Sequence, residues 1–321
     1  MPRADDIANL FQCIGVSPSG YREMSSLLGT ARTLESLPVD ISRPGLANAL
    51  PQNAAPQAKR AVQAQVVVVA STNGGVGKST VAAALAMAFN RGSRTYAIDL
   101  DPQNALTRHF ALRTSKPGLV QFQQGSATWQ EIVHNNALGG FCLPFGACTH
   151  EQQREFERTL YDNPDWLACQ LAQLHTSPRD TLVIDTPTGS SVYLDQALAI
   201  ADLVLMVTTP AAASYHALPR LEHILKARQT GQPRVPLRYV INQLDTTRDF
   251  SQSMLAALRK RLGADLLGVI QHDHFLAESM PSERPTLGSL PSTKGGLDLL
   301  DLARTLQLAL SQPQLSQLST S

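Results

Sequence analysis

The residues best equipped for chemistry stand between Asn73 and Thr80. Gly74-Gly75-Val76-Gly77-Lys78-Ser79-Thr80 places three glycines ahead of a lysine and two hydroxyls. Glycines let the backbone turn tightly, so that successive N–H groups point inward and gather phosphate oxygens. A helix that starts at the end of such a loop adds its own N-terminus to the anion site. On this reading the backbone of Gly74, Gly75, Val76 and Gly77 forms the cradle. Lys78 is the point charge for the β- and γ-phosphates, Ser79 offers a hydroxyl to Mg²⁺, and Thr80 stands beside it for the α-phosphate. The strict G-x-x-x-x-G-K-[ST] pattern is not met, because Thr72 occupies its first position. The context still fits a phosphate loop: an apolar strand before it and the run Val81–Phe89 of good helix formers after it.

Two further segments end apolar runs with carboxylates. Ala97-Ile98-Asp99-Leu100-Asp101-Pro102-Gln103 is one, and Thr181-Leu182-Val183-Ile184-Asp185-Thr186-Pro187-Thr188-Gly189 is the other. A carboxylate at the end of a buried strand is costly unless a cation or donor meets it, and a Mg²⁺–nucleotide supplies both. Asp185 is expected to reach Mg²⁺ through water, and Asp101 to orient an attacking water and to join the metal's surroundings. The N–H of Gly189 is expected to face the γ-phosphate. A helix N-cap is the ordinary alternative for each aspartate taken alone. Asn242, which ends another apolar run, has an amide suited to an adenine edge, although asparagine after a strand is commonly a turn residue. His272 and His274 have spacing that a metal could use, but solvated loop histidines fit them better.

These groups need a scaffold that brings strand ends together. Short apolar runs recur at 66–70, 96–99, 141–145, 181–185, 203–208, 237–242 and 267–270. Helix-like stretches separate them at 79–90, 151–174, 192–201, 215–229, 249–262 and 297–310. Alternation of this kind predicts a doubly wound α/β domain with a mostly parallel sheet. Right-handed crossovers then collect the carboxyl ends of the strands on one edge. Ahead of this domain, expected over 64–310, residues 1–45 read as a small helical segment. Its apolar stripe is Ile7, Leu10, Phe11 and Ile14, preceded by Asp5-Asp6 and followed by Gly15. Residues 46–63, rich in Ala, Asn, Gln and Pro, read as a linker, and 311–321 as a loose polar tail.

Composition narrows the function classes. With 43% apolar and 17% charged residues the chain is neither disordered nor collagen-like. Lys plus Arg is 27 and Asp plus Glu is 26, a net charge of +1 that argues against blanketing nucleic acid by charge. Cys13, Cys142, Cys148 and Cys169 form no CxxC pair, so neither a zinc knuckle nor a disulfide framework is indicated, and buried thiols are expected. No apolar run approaches the ~20 residues of a membrane helix. The acidic start lacks the apolar core of a signal peptide. A cytoplasmic protein is therefore expected.

Gly74–Thr80, Ile98–Gln103 and Val183–Gly189 together resemble the MinD/ParA family of deviant-Walker P-loop ATPases over about residues 65–310. The resemblance implies ATP with Mg²⁺ held between the subunits of a homodimer, with hydrolysis returning monomers. Leu143-Pro144-Phe145-Gly146 with the helical stretch from Glu151, and Val269–Ser279 with Pro285–Gly288, are similar to the BcsQ (YhjQ) branch of bacterial cellulose synthesis. That branch implies a regulatory protein of the cellulose synthase complex, peripheral to the inner membrane and reaching it only through partner subunits. Asp5–Phe11 and Tyr21–Met24 resemble the small BcsR/BcsP-type segments, here fused to the ATPase as its own partner. The family's second lysine, which reaches across the dimer, is replaced by Asn73. An amide donates a hydrogen bond but brings no charge, so slow hydrolysis is expected.

Other members of the superfamily serve different tasks, and residues discriminate among them. A partition ATPase needs a basic surface for DNA, and this chain has six lysines. Membrane cycling of the MinD kind needs a basic amphipathic C-terminal helix, whereas residues 297–310 carry one arginine. An iron–sulfur reductase needs a cysteine after Gly189, where Ser-Ser-Val-Tyr stands, and a capsule-type tyrosine kinase ends in tyrosines, of which none follows Tyr239.

Overall fold

The chain is described here by a computed structural model over residues 62–89, 94–113, 115–135, 140–228, 235–274, 276 and 293–311. The helix expected over 5–14, the linker up to residue 61, the stretch 277–288 and the tail beyond 311 lie outside the described residues.

β1 (Gln65–Ser71) is the pivot. Its alternating side chains feed two cores, Val66, Val68 and Ala70 on one face of the sheet and Val67 and Val69 on the other. A strand buried on both faces reads as a continuous apolar run and belongs inside a parallel sheet. Each fully buried valine there is worth about 1.5–3 kcal/mol. β5 (Thr181–Asp185) and β6 (Leu203–Thr208) flank β1 in parallel register, and β2 (Thr95–Asp99) pairs with β5. β7 (Leu237–Leu244) and β8 (Leu266–Gln271) extend one side, and β4 (Phe141–Leu143) and β3 (His134–Asn135) the other. The order is β3-β4-β2-β5-β1-β6-β7-β8, parallel throughout except for β3 against β4. The expected doubly wound sheet is thus present.

Helices cover both faces. α1 (Lys78–Phe89) is buried almost all round and packs with α10 (Lys294–Ser311) on one face. α5 (His150–Asp162), α6 (Trp166–Ala172), α7 (Val192–Ile200) and α8 (Ala212–Arg228) contribute to the core on the other. α9 (Asp249–Leu262) joins β7 to β8. Three short helices, α2 (Leu106–His109), α3 (Leu119–Gln123) and α4 (Trp129–Ile132), fill the connection between β2 and β3.

The structure departs from the sequence expectations at several places. The stretch 151–174 is two helices, because Asn163 precedes Pro164 and leaves the helical region at φ −127°, ψ 84°. The run 141–145 is a strand only to Leu143: Pro144 lacks an N–H, and the N–H of Phe145 is donated to the Asn104 side chain at 3.1 Å. Of the cysteines among the described residues, which do not include Cys13, Cys142 is buried, Cys148 half-buried and Cys169 exposed, so burial does not hold for all of them. Among the described residues no helix is long and apolar enough to cross a membrane.

Candidate functional site

The carboxyl ends of β1, β2, β5 and β7 meet at one edge, and each delivers one of the segments singled out by residue type. After β1 the chain turns through Gly75 at φ 75° and Gly77 at φ 82°. Both angles favour glycine. A Cβ on Gly77 would also collide with the Asn242 amide. Asn242 donates from Nδ2 to the carbonyl of Val76 at 2.8 Å, and Gln243 from Nε2 to that of Gly75 at 2.9 Å. The loop is therefore braced from β7. One N–H of the Asn242 amide is thus given to the loop, and the side chain lies beside a small cavity of about 70 Å³ that Asp273 and Leu299 also line.

Lys78 opens α1 and is 6% exposed. Its Nζ donates to Asp185 Oδ1 at 2.7 Å and lies 3.6 Å from Asp101 Oδ2. Burial works against the ammonium, but the charges of Asp185, Asp101 and Asp99 outweigh it and raise its pKa. Asp185 shows the opposite balance: burial pushes its carboxyl up, while Lys78 and Ser79 hold it down. Among the described residues its second oxygen, Oδ2, is buried without a hydrogen-bond partner. A bare carboxylate oxygen at the foot of a phosphate-type loop, next to the Ser79 hydroxyl, has the chemistry that Mg²⁺ and its waters satisfy. Among the described residues no cluster of His, Cys, Asp and Glu is arranged to hold a metal alone. Mg²⁺ carried in with phosphates does not need such a cage. His272 and His274 stack edge to face at 4.7 Å.

Asp99 is fully buried and accepts the N–H groups of Asp101 and Leu106, both at 2.9 Å. It shapes the loop that carries Asp101, while burial and the Asp185 charge push its own carboxyl well up. Asp101 in turn accepts from the N–H of Gln103 at 3.0 Å. After β5, Thr186 ties back to the carbonyl of Val69 at 2.9 Å. The N–H of Gly189 is donated to the Ser71 carbonyl at 3.1 Å, so it does not stand free for a γ-phosphate as expected; that bond would have to open first. Thr80 lies 3.4 Å from Nε2 of His109, a buried histidine on α2. The Ser71 hydroxyl donates to the carbonyl of Asn73 at 3.1 Å.

The structure thus gathers Lys78, Asp101 and Asp185 into one charged triad beneath the glycine turns. His109, Gln243, Asp99 and Asn104 were not singled out by sequence. Asp99 stood in the quoted I-D-L-D run; the other three carry no local signal, because their roles are contacts with distant segments.

Residues 64–305 match the family described as cellulose biosynthesis protein BcsQ. An uncharacterised ATP-binding protein of Methanocaldococcus jannaschii is 29% identical over 189 residues, which is 58% of this chain and 66% of that protein, just short of two-thirds of its length. The chloroplastic septum site-determining protein MinD homolog of Arabidopsis thaliana is 24% identical, over 73% of this chain and 72% of that one. Among solved structures, the septum site-determining protein MinD of Pyrococcus horikoshii, complexed with Mg-ADP, superposes with a TM-score of 0.62 at 22% identity. It covers 77% of this chain and 97% of that one. A plasmid partition protein of Borrelia burgdorferi, bound to AMPPNP, gives a TM-score of 0.63 at 18% identity, covering 76% and 99%. These likenesses establish the fold.

Proposed function

The chain belongs to the BcsQ family of cellulose biosynthesis proteins, and from that premise we propose that it is an ATP-binding, homodimeric regulatory ATPase. It would assemble or position the membrane cellulose synthase complex from the cytoplasmic side, meeting the membrane through synthase subunits rather than directly. The observation that carries this reading is the buried Lys78, held between Asp185 and Asp101 under a turn of left-handed glycines.

The residues divide the work by their chemistry. N–H groups of Gly74–Thr80 receive the phosphates, and Lys78 moves from its carboxylate partners to the β- and γ-oxygens. Ser79, Asp185 and Asp101 are the oxygen groups that would hold Mg²⁺ with the nucleotide. When bound, the ion neutralises charge on the phosphates. Asp101 orients the attacking water, and Gly189 turns its N–H from Ser71 to the γ-phosphate. Asn73 places an amide where a cation would reach across the dimer. A cation in such a place is worth about 10³–10⁵ in the best cases, so turnover is slow while binding persists.

Light scattering on size-exclusion fractions, with released phosphate measured alongside, tests this reading. Monomer without nucleotide, dimer with Mg²⁺-ATP and little phosphate is the expected result. Asn73→Lys should raise phosphate release while leaving ATP affinity nearly unchanged, because the new charge acts on the transition state. A monomer under both conditions would refute the dimer, and an unchanged rate in a dimerising Asn73→Lys protein would refute the account of slow turnover.

A further inference from the structure

We propose that Asn104 is a positioning residue for Asp101, and that it works by hanging the loop after β2 on the backbone of Phe145 and Gly146. The proposal rests on the nucleotide reading above and deepens it. Asn104 has φ 51°, a left-handed conformation that asparagine tolerates better than most side chains. That conformation closes the loop, with the Asn104 N–H donated to the Asp101 carbonyl at 2.8 Å. The side-chain Oδ1 then accepts from Phe145 N at 3.1 Å and from Gly146 N at 3.5 Å. One residue thereby grips Asp101 through its backbone and the segment after β4 through its side chain.

The anchor is itself fixed on several sides. Leu119 and Val120 donate to the carbonyls of Pro144 and Phe145 at 2.9 and 3.0 Å. Gln121 donates from Nε2 to the Ala147 carbonyl at 2.7 Å and accepts from Gly118 N at 3.0 Å. Gly118 and Gly146 fit so closely that a Cβ on either would strike the other's backbone or Gln121. The Phe145 ring is buried, 5.8 Å from Phe156 on α5 and 5.6 Å from Tyr193 on α7. α7 follows directly on the Asp185–Ser191 segment. The Leu143–Gly146 segment is thus a strut between the two carboxylate-bearing loops. Asn104 is the link by which it reaches Asp101, 3.6 Å from Lys78.

Asn104→Gly keeps the left-handed angle and removes the acceptor; Asn104→Asp keeps both. Two readouts are needed on the 321-residue chain. The first is deuterium uptake in the absence of nucleotide. Uptake over residues 100–106 should rise several-fold in Asn104→Gly, return toward the parent in Asn104→Asp, and stay unchanged over β6. The second is the Mg²⁺ concentration that half-saturates ATP binding, which should rise about tenfold in Asn104→Gly, with recovery in Asn104→Asp. Parent-like uptake and Mg²⁺ dependence in Asn104→Gly, or no recovery in Asn104→Asp, would overturn the role of Asn104 while leaving the nucleotide reading intact. A parent protein that binds no ATP would instead overturn the nucleotide reading, and this inference with it.

Discussion

His109 illustrates how much a single residue can owe to its burial. It is 1% exposed on α2, beside Thr80, and its pKa falls from 6.5 to about 4, first through burial and then through the Arg108 charge. A histidine whose folded pKa is depressed binds its proton in the unfolded chain first. Its contribution to stability is complete above pH 6.5 and is lost as pH falls toward 4. Parent and His109→Gln proteins should therefore diverge under acid. Between pH 6.5 and about 4.5 the parent should lose on the order of 2–3 kcal/mol more than the variant, read by urea unfolding at each pH. Parallel pH profiles would show that His109 is not held neutral. Nothing local in the sequence marks this residue, since its neighbour Thr80 is 29 positions away. The glycine loop, Asp101 and Asp185 were legible because their chemistry is written in consecutive residues at strand ends. Their pairing with Lys78, and the turning of the Gly189 N–H toward Ser71, depend on how β1, β2 and β5 align, which spacing alone does not encode.

At the scale of elements, the strand–helix alternation was legible because buried parallel strands are apolar runs and helices recur between them. Boundaries were lost where a local rule overrode the pattern, as at Asn163-Pro164, and where short helices have no full apolar period, as at 106–109, 119–123 and 129–132. α5 shows what holds such an element. Thr149 and Gln152 cap its start reciprocally, at 3.3 and 2.8 Å, but only Phe156 and Leu160 are buried along it. Phe156 meets Phe145, Trp166 and Tyr193 within 6.1 Å. Phe156→Ala should cost about 3–5 kcal/mol, since it empties the centre of that cluster. Tyr161→Ala, on the same helix but 79% exposed, should stay within about 0.5 kcal/mol of the parent. Chemical unfolding of both variants checks this pair, and equal effects would mean that α5 is not anchored through Phe156.

For the molecule as a whole, the order β2-β5-β1-β6-β7 is what makes a site out of scattered segments. β1 and β5, side by side, set Lys78 against Asp185, and β2 on the far side of β5 brings Asp101 to the same ammonium. Asn242 and Gln243 close the glycine loop from β7, at the other side of β1 and β6. On the proposed function this convergence is a seat for ATP. Isothermal titration of the 321-residue chain with ATP and Mg²⁺, beside Lys78→Ala, is the test. The parent should bind saturably, one nucleotide per chain, and the variant should lose affinity at least about a hundredfold with an unchanged far-ultraviolet circular dichroism spectrum. Equal affinity in the two proteins, or no binding in the parent, would contradict it.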